Sequence, residues 1–334
     1  MNLKNLENQT IVITGASSGI GLTTARMAAE QGAKLVLAAR SENALSELAD
    51  EINNQGGEVI YVVADVGKQE DVEKIAQKAI ERFGGFDTWI NNSGVGIFGK
   101  IEDISIEDMR QLFETNFWGV VYGSLEAVKT LKKRGGALIN VGSIVSDRVV
   151  HLQGIYSSSK HAVKGFTDAL RMELEADNHP VSVTLIQPSA INTPFSINAK
   201  NVTDSKFTLP PPVYAPETAA EAILHCCENF ERNVFVGGGG KSLAALGHYA
   251  PRLMDKIMES DAFANAQKLD KPPLEKNALN QPSENLSERG NYEGHTMESS
   301  VYTKASLHPV VTAVAAVGVG VGLTALWRAA QKNN

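Results

Sequence analysis

Only two cysteines occur in 334 residues, and they are neighbours, Cys226 and Cys227. Adjacent thiols inside a stretch that reads as helix, 216–230, cannot staple distant loops together. A disulfide framework is therefore excluded, and a reducing, cytoplasmic setting is expected. Basic charge is also short: 31 Lys and Arg against 38 Asp and Glu give a net charge of −7. That balance leaves no surplus to neutralise phosphates, so no nucleic-acid partner is expected. The seven histidines include no His-x-x-x-His pair, and no metal site is expected. Residues 1–9 are polar and lack the apolar core of a secretion signal. What is present is ordinary for a folded chain, with 43% hydrophobic and 21% charged residues in a length that suits one large domain or two.

A long apolar run occurs at 310–327, interrupted only by Thr312 and Thr324. Its length approaches the ~20 residues that cross a hydrocarbon core, although Ala, Gly and Val partition weakly. Gly318 and Gly322 form a small-xxx-small pair suited to close helix contact. An apolar C-terminal helix within 306–334 is expected, attached to the cytoplasmic face of a membrane or docked on protein.

At the other end, the β-branched run 10–14 predicts a buried strand. It stops at Gly15-Ala16-Ser17-Ser18-Gly19-Ile20-Gly21, and an Ala- and Leu-rich helix is predicted over 22–31, closed by Gly32. Strand, glycine turn and helix together make a cradle in which backbone N–H groups and a helix N-terminus meet a pyrophosphate. The next strand, 34–39, ends at Ala39-Arg40, where an acid would bind the ribose 2′-hydroxyl of NAD. An arginine there suits a 2′-phosphate through paired donors, so NADP(H) is the expected cofactor.

Alternation continues with strands at 59–64, 87–91, 137–141, 181–187 and 233–236, and with helices at 41–54, 71–83, 106–130 and 156–175. Near-continuous apolar strands in β–α repeats imply an α/β fold: a Rossmann-like, doubly wound parallel sheet of about seven strands. Asp65-Val66, Asn92-Ser93-Gly94 and Ser143 all follow strand C-termini, the edge where such sheets bind ligands. Gly237–Gly240 before Lys241 imitates a P-loop, but its spacing is wrong and a strand-to-helix connection is expected.

Tyr156 and Lys160 are four apart in a predicted helix and so share a face. An ammonium beside a phenol favours the phenolate, which predicts a tyrosine poised for proton transfer. With Thr14 to Gly21 reading TGASSGIG, Asn91 to Gly94 reading NNSG, and Asn116, Ser143 and YSSSK at 156–160 in that order, the chain resembles the short-chain dehydrogenase/reductase family, in its shorter, single-domain branch. The resemblance covers about 6–240. It departs at Ser93, where alanine is usual, and at Ser189, where glycine commonly follows Pro188.

That resemblance implies hydride exchange between NADP(H) and a carbonyl or secondary alcohol. Tyr156 would move the proton, Lys160 would lower the phenol's pKa and bind the nicotinamide ribose, and Ser143 would bind the substrate oxygen. Asn116 would hold a water, and Pro188 and Thr193 would meet the nicotinamide. It also implies a homodimer or homotetramer. A cofactor-binding scaffold with little chemistry, and an epimerase or dehydratase, are the alternatives.

The irregular stretch 189–214 has the length of a functional loop, and its Phe195, Ile197, Phe207 and Leu209 suggest a hydrophobic substrate. The division expected is a catalytic domain over 1–250, a helical extension over 251–270 and a disordered tether over 271–305.

Overall fold

Strands buried on both faces need apolar side chains at every position, and the central strands here show why their sequences do not alternate. In the computed structural model, which describes residues 2–274, 276–283, 286–309 and 312, strand β1 (Thr10–Thr14) is buried along its whole length. Its Ile11 and Ile13 enter one hydrophobic cluster and its Val12 the cluster on the opposite face. β2 (Lys34–Ala39) divides in the same way, Leu35 and Leu37 to one side and Val36 and Ala38 to the other. With β3 (Val59–Val63), β4 (Thr88–Asn91), β5 (Gly136–Val141), β6 (Val181–Pro188) and β7 (Asn233–Val236), they form a seven-stranded sheet. All pairings are parallel, in the order β7-β6-β5-β4-β1-β2-β3.

Helices cover both faces. α1 (Gly19–Glu30) and α2 (Glu42–Asn54) lie on one, and α3 (Gln69–Phe83) on the other. α4 (Ile106–Phe113) runs through a π-helical turn, Glu114–Trp118, into α5 (Gly119–Arg134). α5 and α6 (Gly154–Ala176) join α3, while α7 (Pro216–Glu228) joins α1 and α2. Strand order runs outward from β1 to β3 in one direction and from β4 to β7 in the other. The reversal between β1 and β4 opens a crevice at the strand C-termini.

α1 starts a turn earlier than 22–31, because the glycines belong to the helix as well as to the turn. A Cβ on Gly21 would lie 2.2 Å from the Gly15 carbonyl oxygen, so this close approach of helix to turn requires glycine. Beyond β7 come α8 (Gly238–Tyr249), α9 (Pro251–Glu259), with its proline at the first turn, and α10 (Asp261–Ala266). The P-loop look-alike is a strand-to-helix connection, Gly237 turning at φ +96°.

The stretch 271–305 differs from the expected tether. Ala278 and Leu279 are buried, and Thr296–Met297 pairs in parallel with Val213–Tyr214, which pairs with Ala190–Ile191. α11 (Val301–Leu307) then packs against β7 and α7. Composition missed this order because much of it comes from main-chain hydrogen bonds and ion pairs rather than from apolar burial. Among the described residues no helix is long and apolar enough to cross a membrane. Of the apolar run 310–327, all but Thr312 lies outside the described residues.

Candidate active site

The glycine turn is tied to the end of β4 through one threonine and one asparagine. Thr14 Oγ1 donates to the Ile90 carbonyl at 3.2 Å and accepts from the N–H groups of Asn92 and Ser93 at 3.1 and 3.3 Å. Asn92 Nδ2 donates to the carbonyls of Thr14 and Gly15 at 3.0 and 3.2 Å. Gly15 has φ +67°, and a Cβ there would meet Asn92 and Ser93 at 2.9 Å. Ser18 caps α1 without a side-chain bond, leaving the positive end of a twelve-residue helix facing the crevice. A backbone cradle with no room for side chains, at a helix N-terminus, fits a dinucleotide pyrophosphate.

Around this turn a single cleft gathers most of the residues chosen from sequence. Gly15, Ser17, Ser18, Gly19 and Ile20 form its floor, Arg40 follows β2, and Asp65 and Val66 follow β3. Asn92, Ser93 and Gly94 follow β4, Ser143 follows β5, and Pro188 and Thr193 follow β6. Tyr156 and Lys160 enter from α6. Gly21 and Asn116 stand behind the lining. The departure at Ser189 fits: its φ is not positive, so the backbone there does not demand glycine.

Asn116 sits in the π turn between α4 and α5, where the widened helix lets its amide reach the neighbouring loop. Its Oδ1 accepts from the Val95 N–H at 2.8 Å, and its Nδ2 donates to the Val95 carbonyl at 2.9 Å and to Ser159 Oγ at 3.2 Å. The side chain is fully buried and braces the loop after β4. A Cβ on Gly94 would come within 3.6 Å of Asn116 Oδ1 and 3.7 Å of Lys160 Nζ, which places all three groups side by side.

Ser143 accepts from the Val145 N–H at 3.3 Å, and it lines the same cleft as the Tyr156 phenol, whose pKa it lowers. It is therefore a strand-end cap and a neighbour of the phenol at once. Lys160 Nζ is buried, donates to the Val141 carbonyl at 2.9 Å and lies 5.9 Å from the centre of the Tyr156 ring.

Here the expected proton device is corrected. The shared helix face brings lysine and tyrosine near, but the ammonium is turned onto Val141. Burial pushes the Tyr156 phenol up from 10.0 to about 12, against a smaller lowering by Ser143. Burial likewise lowers Lys160 from 10.5 to about 8. Desolvation outweighs the attraction that spacing alone suggests.

Above Tyr156 the cleft is apolar. Phe98 and Phe207 stack with ring centres 3.4 Å apart, and Phe195 meets Phe98 at 6.4 Å and Tyr156 at 5.2 Å. Phe195, Phe207 and Leu209 line the cleft, whereas Ile197 does not. Sequence reasoning missed Phe98, whose signal was the apolar run 95–98 after the β4 turn. It also missed Gln153, which caps α6, lines the cleft and donates from Nε2 to Gln267 Oε1 at 3.1 Å. No pattern marked that residue. Nor did any mark Ala278, Pro282 and Ser283, which line the same cleft from the far end of the chain.

A parallel doubly wound sheet with a glycine cradle and a serine–tyrosine–lysine cluster at its switch point defines a dinucleotide-dependent oxidoreductase. The short chain dehydrogenase family model matches residues 9–203, and the chain belongs to that family. It is 47% identical over 337 aligned residues to an uncharacterized oxidoreductase, YxnA, of Bacillus subtilis, an alignment spanning 99% of this chain and 93% of the relative. Among solved structures, a short chain dehydrogenase/reductase from Burkholderia phymatum in complex with NAD superposes with a TM-score of 0.68 at 25% identity, covering 76% of this chain and 96% of that one. L-sorbose reductase from Gluconobacter frateurii, complexed with NADPH and L-sorbose, gives 0.61 at 27% identity, covering 71% and 97%.

Proposed function

We propose that the protein is an NADP(H)-dependent carbonyl reductase, interconverting a hydrophobic ketone or aldehyde and its alcohol. The observation that carries this reading is the meeting of the Ser143 hydroxyl and the Tyr156 phenol in one cleft beside Lys160 and the glycine cradle. The bound nicotinamide supplies the hydride. Ser143 donates a hydrogen bond to the substrate oxygen and stabilises the negative charge that grows there. Tyr156 gives its proton to that oxygen. A phenol held near 12 is fully protonated at neutral pH, and an alkoxide is a far stronger base than a phenolate, so the proton passes readily in the reducing direction. Lys160, half-charged near pH 8 and 5.9 Å from the centre of the Tyr156 ring, would hold the nicotinamide ribose and serve as the proton reserve for the phenol.

Arg40 supports the choice of NADP(H). It lies at the end of β2 in the cleft wall, with Asp65 the opposite charge beside it. The aromatic wall of Phe98, Phe195 and Phe207 supports an apolar substrate. NADPH consumption against a panel of apolar ketones, aromatic aldehydes and polar sugars tests the reading. It predicts turnover confined to the apolar compounds and faster with NADPH than with NADH. No turnover with any carbonyl, or a clear preference for NADH, contradicts it.

A further inference from the structure

Arg40 does not stand free in the cleft. Its Nη1 donates to the Leu279 carbonyl at 3.3 Å, and its Nη2 donates to the carbonyls of Ala278 at 2.5 Å and Gln281 at 3.2 Å. A guanidinium grips a phosphate or carboxylate through two parallel N–H groups, along its Nη1–Nη2 edge or its Nε–Nη2 edge. Both edges include Nη2, and both Nη2 hydrogens are already donated. With these three carbonyls in place, Arg40 has no intact fork to offer.

The same segment is fastened at other points. Leu279 is fully buried among Val95, Ile97 and Leu112, and the Ala278 N–H donates to the Asn198 carbonyl at 2.7 Å. Farther on, the Ser287 carbonyl accepts from the Gly19 N–H at 2.9 Å, and Glu288 accepts from Arg26 at 2.8 Å. Gly290 lies against Thr193, where a Cβ would come within 2.4 Å of the Thr193 carbonyl oxygen. Residues 276–283 and 286–290 thus cross the adenosine end of the cleft from the substrate loop to the glycine turn.

We propose that this segment is a strap that competes with the 2′-phosphate of NADP(H) for Arg40, and so sets the cofactor preference of the protein. The proposal rests on the NADP(H) reading above. NAD(H) carries only a hydroxyl at that ribose position and needs no bidentate donor, so although its pyrophosphate takes the Gly19 N–H from Ser287, it leaves the Arg40 latch in place. NADP(H) draws Arg40 off its three carbonyls, and the strap loses its latch. The preference of the intact protein for NADP(H) is therefore smaller than Arg40 alone would give, and loosening the strap enlarges it.

The test is fluorescence titration of NADPH and NADH on full-length wild type, Leu279→Ser, Arg40→Ala and the double variant. Serine at 279 puts a hydroxyl among apolar side chains and loosens the strap without touching Arg40. Freed of competition, Leu279→Ser binds NADPH about tenfold tighter, while its NADH affinity stays within about twofold of wild type. In the Arg40→Ala background the same serine leaves NADPH affinity unchanged. On wild type, trypsin cuts after Lys276 and Arg289 faster with NADPH bound than with NADH, a measurement that needs no variant to fold. Equal responses to the two cofactors, in affinity or in cleavage, overturn the strap. A wild type that binds NADH but not NADPH overturns the NADP(H) reading itself, which is a different result.

Discussion

Replacing Lys160 with methionine should stabilise the folded protein at neutral pH while abolishing turnover. The side chain is 3% exposed, and burial lowers its pKa from 10.5 to about 8. Because the folded value lies below the unfolded one, the folded state resists carrying the proton. Stability is diminished in full below about pH 8 and is regained as pH rises from about 8 to about 10.5. At ~1.4 kcal/mol per unit, the charged lysine diminishes stability at pH 7 by about 3 kcal/mol. Methionine removes that penalty and also the hydrogen bond to Val141, worth about 1 kcal/mol, which leaves a net gain of about 2 kcal/mol. Urea unfolding of both proteins at about pH 7 and pH 9.5 measures it, and the advantage of the variant should shrink by roughly 2 kcal/mol across that interval. Tyr156 acts in the opposite sense, its raised pKa giving stability that is lost as pH rises from about 10 through 12, above the interval used. A variant less stable than wild type at pH 7, with the same pH dependence, would refute the reasoning.

Three further outcomes follow from the site. Asn116→Ala leaves both backbone groups of Val95 without partners in a buried turn and should lower stability by roughly 2–3 kcal/mol in thermal or urea unfolding, with kcat falling more than cofactor affinity. Gly21→Ala drives a Cβ into the Gly15 carbonyl, a backbone atom that cannot swing aside, and should weaken NADPH binding by at least about tenfold in a fluorescence titration. Phe207→Ala removes one partner of the stacked pair and should raise KM for apolar ketones by about tenfold, with small polar carbonyls little changed in steady-state kinetics.

The sheet was legible because strands such as Ile11-Val12-Ile13 must be apolar on both faces, and that need writes itself into every position. The glycine turn was legible for a related reason: the approach of Gly21 to Gly15 admits no other residue. Arg40 could be placed at the end of β2, but its partners lie 238 and more positions away and are carbonyl oxygens, which every residue carries. The Tyr156–Lys160 spacing was legible, whereas the rotation of the ammonium onto Val141 and the desolvation of the phenol belong to the assembled cleft. Polar composition over 271–305 spoke for a loose tether, since hydrogen bonding by main chain is blind to residue type.

The central claim is that the Tyr156 phenol delivers the proton. Tyr156→Phe keeps the ring beside Phe195 and removes only the hydroxyl. Measured with NADPH and an accepted ketone, the variant should bind NADPH within about twofold of wild type while kcat falls by ~10²–10⁴-fold. A kcat within a few fold of wild type would contradict the account.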